Sequence, residues 1–129
     1  MPTPETLERF IARVEENAHV EAILEFYSED ATMRENFKPA RGPRAALAER
    51  EGKTMDRARS VRSTCVRPVL VNGDIVVVRW IFEFEWKDGT PPTRMEELAY
   101  QRWEGERIAQ EQFFYDPAQL AQNVDSGRT

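Results

Sequence analysis

The second half of this chain consists of four long segments that read as strands, joined by tight turns, after three amphipathic helical stretches. The segments are residues 60–71, 75–86, 94–103 and 107–115. Asn72-Gly73 suits a two-residue type I′ hairpin, because both residues tolerate positive φ. Asp88-Gly89, followed by Thr90-Pro91-Pro92, makes a longer connection, and Glu104-Gly105 closes the third hairpin. Consecutive hairpins make an antiparallel sheet, and the preceding helices give it something to wrap around. The expected class is α+β: a curved antiparallel sheet wrapped around three N-terminal helices, enclosing one deep apolar pocket.

The helices follow from spacing and capping. Thr3 can cap a helix whose first residue is Pro4, where a missing N–H costs nothing. Leu7, Phe10, Ile11 and Val14 then recur on one face. Asn17-Ala18-His19 interrupts, and Val20, Ile23, Leu24 and Tyr27 give a second short helix ended by Ser28-Glu29-Asp30. Residues 31–36 read as a short strand. Residues 37–41 form a loop in which Pro39 stops either element. Gly42-Pro43 opens a third helix running through Leu47 toward Met55, with Gly52 weakening its end. Asp116-Pro117 starts a last helical turn over residues 117–122. The domain is expected to span residues 1–120, with 121–129 as a flexible tail.

The 129 residues suit one domain with a proper core. A net charge of −5 argues against a nucleic-acid partner, which needs a concentrated basic surface. The single cysteine, Cys65, excludes an internal disulfide and suggests a reducing compartment. No apolar run approaches a membrane span and no signal peptide is visible. The expectation is a cytoplasmic protein.

Alternation sorts the strand faces. In 75–86 one face is Val76, Val78, Trp80, Phe82, Phe84 and Trp86, and this aromatic face should be concave. In 94–103 the faces are Met95, Glu97, Ala99, Gln101, Trp103 and Arg94, Glu96, Leu98, Tyr100, Arg102. In the last strand they are Ala109, Glu111, Phe113, Tyr115 and Ile108, Gln110, Gln112, Phe114. For these two strands the pattern alone does not choose.

Several stretches together resemble the SnoaL-like group of the NTF2-like superfamily, a cystatin-like, cone-shaped α+β barrel. They are AILEFYSEDATMREN, ARGPRAALAE, VNGDIVVVRWIFEFEW and ERIAQEQFFYDPAQL, in that order. The resemblance implies a polyketide cyclase-like protein with a small apolar ligand and no cofactor. Set against the ketosteroid isomerases of the superfamily, the general-base position falls on Glu35. The oxyanion-hole tyrosine falls on Ile11 and the protonated aspartate on Ala99, so steroid isomerisation of that type is disfavoured. The epoxide-hydrolase branch needs strand aspartates, whereas those here are read in turns, caps or the tail. The dehydratase branch uses two histidines, and only His19 is present. The same comparison turns Glu97, Ala99, Gln101 and Trp103 inward, together with Glu111, Phe113 and Tyr115.

The candidate chemistry is therefore carboxylate chemistry. Glu35, Glu97 and Glu111 are placed in a pocket walled by Ile11, Met33, Trp80, Phe82, Phe84, Gln101, Trp103 and Phe113. A poorly solvated carboxylate has a raised pKa and can take or hold a proton. Two such groups together split their titrations into an acid and a base. Glu35 would be the base, with Glu111 or Tyr115 assisting. The bland alternative pairs these glutamates with Arg34, Arg94 or Arg102, or leaves them in solvent. His19 reads as a cap or turn residue, and Cys65 as a small buried apolar one. No cluster with metal-ligand spacing is present. Two readings stand: an isomerase- or cyclase-like proton-transfer protein acting on an apolar carbonyl compound, or a non-catalytic binding or dimeric scaffold domain. The outer sheet face, with Val77, Ile81, Leu98, Tyr100 and Phe114, suggests a homodimer.

Overall fold

In the computed structural model, which describes residues 1–120, three helices and five strands follow one another along the chain. They are α1 (Pro4–Glu15), α2 (His19–Phe26), β1 (Tyr27–Glu35), α3 (Arg44–Arg57), β2 (Ala58–Asn72), β3 (Ile75–Trp86), β4 (Thr93–Glu104) and β5 (Arg107–Phe114). One sheet runs β1-β5-β4-β3-β2. It is curved but not closed into a barrel. Every pairing is antiparallel except β1 with β5, which is parallel.

The caps explain where α1 begins and stops. Thr3 Oγ1 accepts from the Thr6 amide at 3.1 Å, and Pro4 occupies the first turn. Asn17, at φ 68°, turns the chain out of the helix. α1 then buries Leu7, Phe10, Ile11 and Val14 against the sheet. Phe10 is the hub of this contact. Its ring lies 5.9 Å from Trp103, 6.5 Å from Trp80 and 5.6 Å from Phe26, all edge-on.

Several local expectations shift. Tyr27 ends no helical stripe; it begins β1, which is longer than residues 31–36 because Ser28, Glu29 and Asp30 are extended. Asp30 therefore lies on a strand and Asp56 inside α3, so aspartates are not confined to turns, caps and tail; both are exposed. α3 continues through Gly52 to Arg57, and Gly52 sits opposite Val20, where any added Cβ would be 3.8 Å from it. Asn72 is the last residue of β2, paired with Ile75. The turn therefore belongs to Gly73 and Asp74, with only Gly73 at positive φ (61°), as a type II′ turn requires. Pro68 is tolerated because β2 is an edge strand whose register shifts between Val66 and Leu70. Ile108 was expected outside, yet it is fully buried, because a shift between Arg102 and Trp103 sets Trp103 opposite Ile108. The last helical turn shows as the 3.1 Å bond from the Leu120 amide to the Pro117 carbonyl. The expected tail, 121–129, lies outside the described residues.

Candidate functional site

The curvature leaves a cavity of about 300 Å³ between sheet and helices. The alternating face of β3 supplies one wall: Trp80, Phe82, Phe84 and Trp86. These rings stack in pairs, Trp80 with Phe82 at 5.5 Å and Phe84 with Trp86 at 5.0 Å. β4 adds Met95 and Glu97, β5 adds Glu111 and Phe113, and β1 adds Met33 and Glu35. The helices close the other side with Phe10, His19, Ile23, Leu47 and Glu51 among others.

Among the described residues Glu111 is the most enclosed carboxylate, at 3 % exposure. It faces Gln101 across the β4–β5 register, and Gln101 Nε2 donates to it at 2.7 Å. Trp103 Nε1 donates to Gln101 Oε1 at 3.0 Å, which fixes the orientation of that amide. The Tyr27 hydroxyl donates to the other Glu111 oxygen. Burial pushes the Glu111 carboxyl up to about 7, against the pull of its two donors, Tyr27 and Gln101. Burial, and then the neighbouring Glu111, also hold the Tyr27 phenol well above its usual range, so it stays a donor.

Glu97 differs in kind. It is opposite Trp80 in the β3–β4 register and faces the cavity with no hydrogen-bond or ion-pair partner among the described residues. Burial pushes it up to about 8, with further contributions from Glu111, Glu35 and Glu51. It is protonated at neutral pH.

Glu35 was expected in dry, aromatic surroundings. It lies instead at the edge of the cavity, 32 % exposed and 3.8 Å from the Arg41 guanidinium. Two backbone bonds between Met33 and Arg41, at 2.7 and 2.8 Å, bring that arginine alongside. Gly42 makes the approach possible, since a Cβ there would lie 2.5 Å from the Ala31 carbonyl oxygen. The pairing partner is thus Arg41, and none of the arginines expected from the sequence. Tyr115 stands next to Glu35 because Asn36, at φ 49°, accepts from the Tyr115 amide at 3.1 Å. Burial, then Glu35 and Glu97, raise the Tyr115 phenol.

Of the residues expected on the wall, Met33, Trp80, Phe82, Phe84, Glu97 and Phe113 line the cavity. Ile11, Gln101 and Trp103 do not, each being fully buried in the packing beneath it, and Tyr115, beside Glu35, does not line it either. Trp103 packs edge-on against Phe10 of α1, and Gln101 is held between Trp103 and Glu111. Tyr27, Glu51 and Arg41 were missed as site residues. A polar-tipped aromatic at the junction of helix and strand was the available signal for Tyr27. His19 lines the cavity too, and is more than a turn residue. Among the described residues no metal-ligating group of His, Cys, Asp or Glu forms.

A sequence model of the SnoaL-like domain matches residues 7–111. The chain belongs to the SnoaL-like family. No functionally curated protein matches it by sequence. Solved structures similar to this SnoaL-like protein share its fold at low identity. One is a hypothetical protein of ketosteroid isomerase-like fold from Catenulispora acidiphila in complex with trimethylamine, with 18 % identity, TM-score 0.77, and 95 % and 94 % of the two chains covered. TerC, co-crystallised with polyporic acid, has 15 % identity, TM-score 0.74 and coverage of 94 % and 96 %. An LEH-like epoxide hydrolase of M. tuberculosis has 11 % identity, TM-score 0.77 and coverage of 96 % and 90 %. At these identities the likeness establishes an NTF2-like architecture.

Proposed function

We propose that this protein binds a small, mostly apolar carbonyl compound in the cavity and moves a proton on it. The observation that carries this reading is the pair Glu97 and Glu111, two carboxyls raised to about 8 and about 7 beside an aromatic wall. Glu97, protonated and without a partner, donates to the ligand carbonyl oxygen. Glu111, ionised first, takes a proton from the carbon next to that carbonyl, leaving an enol. Return of the proton to the same or a conjugated carbon completes an exchange or an isomerisation, with no other reactant consumed. Glu35, at the edge of the cavity, meets the outer end of the ligand. Two structural relatives complexed with small organic molecules, trimethylamine and polyporic acid, support a ligand-binding cavity.

The test is deuterium incorporation into 2-tetralone, an enolisable aromatic ketone, followed by proton NMR. The protein should accelerate exchange over buffer, and Glu97→Gln should reduce that acceleration on the order of 10²–10⁴-fold. An unaltered rate in Glu97→Gln and Glu111→Gln would sink the assignment. The ion pair of Glu35 with Arg41 favours a second reading, a binding domain without catalysis. Binding of 2-tetralone with no exchange above buffer would decide for it. We also propose that the outer sheet face pairs two copies of the chain.

A further inference from the structure

The helical wall of the cavity holds a second polar cluster, which proton transfer by Glu97 and Glu111 leaves idle. His19, the single histidine of the chain, opens α2 and is 8 % exposed. Its Nε2 lies 2.8 Å from Ser63 Oγ on β2. The Ser63 hydroxyl donates in turn to Asn17 Oδ1, also at 2.8 Å. A hydroxyl that spends its hydrogen on an amide oxygen offers only lone pairs to the ring. The hydrogen between His19 and Ser63 therefore sits on Nε2.

That tautomer leaves a lone pair on Nδ1. Among the described residues Nδ1 has no hydrogen bond, and it lies 3.7 Å from Glu51 Oε1. Glu51 belongs to α3 and lines the same cavity. Two acceptors side by side on a cavity wall repel each other unless a donor satisfies both. The position relative to Glu97 is also defined. The His19 ring is 5.3 Å from Phe82, Phe82 stacks on Trp80, and Trp80 is in register with Glu97. A ligand lying along those rings meets Glu97 at one end and the two acceptors at the other.

We propose that His19 and Glu51 form a hydroxyl-binding subsite, so that the ligand is a flat carbonyl compound carrying an O–H group at the end remote from its carbonyl. This deepens the proton-transfer reading and rests on it for the carbonyl end. The subsite selects for a donor: an ether of the same shape would place a third acceptor against Nδ1 and Glu51.

The experiment compares 4-hydroxyacetophenone, 4-methoxyacetophenone and acetophenone by calorimetry, with ¹⁵N NMR of the histidine-labelled protein. The free protein should show hydrogen on Nε2 alone, as the Ser63 and Asn17 bonds require. The hydroxy probe should bind roughly tenfold more tightly than the methoxy probe, the worth of one hydrogen bond to a charged acceptor. Its binding should move the Nδ1 resonance, while the methoxy probe leaves that resonance in place. Glu51→Gln should abolish the preference for the hydroxy over the methoxy probe. Acetophenone binding with no hydroxyl preference, or with Nδ1 unmoved by the hydroxy probe, overturns the subsite alone. Hydrogen on both ring nitrogens of the free protein does the same. If none of the three probes binds, the carbonyl-binding reading and the subsite fall together.

Discussion

Tyr27 donates its hydroxyl hydrogen to Oε1 of Glu111, 84 residues further along the chain. The bond ties the start of β1 to β5 inside the cavity, with both side chains buried. It also sets the order in which the cavity acids ionise. Among the described residues Glu111 has two donors, Tyr27 and Gln101, and Glu97 has none, so Glu111 ionises first. Its charge then helps to hold the proton on Glu97.

Tyr27→Phe tests that order. The ring stays and one donor to the Glu111 carboxylate is lost. The Glu111 titration should move upward from about 7, toward that of Glu97, in a ¹³C NMR experiment on labelled glutamate. Stability should fall by about 1–3 kcal/mol, the cost of an unmet buried acceptor. A Glu111 midpoint that stays in place would show that the bond carries no electrostatic weight.

The same two groups shape stability against pH. Folding raises Glu97 from 4.5 to about 8 and Glu111 from 4.5 to about 7. Between these limits the native state binds more protons than the unfolded chain. Their contribution is therefore fully present below about 4.5 and is lost as pH rises toward about 8. Urea midpoints should decline from pH 5 to pH 8, by an amount on the order of a few kcal/mol in free energy. Glu97→Gln should be more stable than the parent at the alkaline end and close to it at the acid end. A flat parent profile over that window would mean that the carboxyls are solvated.

Trp103→Ala addresses the packing beneath the cavity. The indole is fully buried, edge-on to Phe10, and donates to Gln101. Truncation should cost about 3–5 kcal/mol in chemical denaturation. It should also free the Gln101 amide to turn away from Glu111.

Side-chain alternation made the aromatic wall legible, because one strand face carried Trp80, Phe82, Phe84 and Trp86 without exception. The resemblance to SnoaL-like proteins then oriented β4, where each face mixes apolar and polar residues. Long-range geometry was not legible in the same way. Nothing local to Glu35 announces Arg41, because their meeting depends on a loop that returns against Met33 and on the absence of a Cβ at Gly42. Tyr27 fitted a helical stripe as well as it fits a strand, and only the parallel pairing with β5 makes it a strand residue. Ile108 changed faces through a single register shift, which periodicity cannot anticipate.

The outer sheet face offers a separate test. Leu98 and Tyr100 are 44 % and 45 % exposed on β4, in the middle of the sheet. Charges around them pair within the chain, as Arg79 does with Glu96 at 2.9 Å and Arg94 with Glu83 at 3.7 Å. That leaves an apolar centre inside a neutralised rim, the arrangement of a protein interface. Sedimentation at micromolar concentration should give twice the chain mass, and Tyr100→Glu should give the single mass with the fold retained. A parent that sediments as a monomer removes the dimer.

The pH profile of ketone exchange is the sharpest consequence of the paired carboxyls. Exchange needs Glu111 ionised to accept the carbon-bound proton and Glu97 protonated to hold the carbonyl oxygen. Those conditions coincide between about 7 and about 8. The rate constant at low ketone concentration should rise with one proton lost below that window and fall with another lost above it. The two limbs belong to the pair rather than to either residue, because each charge acts on the other. Glu97→Gln keeps a donor at all pH values, so its residual activity should lose the alkaline limb and keep the acidic one. Glu111→Gln should lack the acidic limb. A parent profile that simply increases with pH would mean that hydroxide or a solvent-exposed base does the work, and the assignment of Glu97 as the proton donor would be withdrawn.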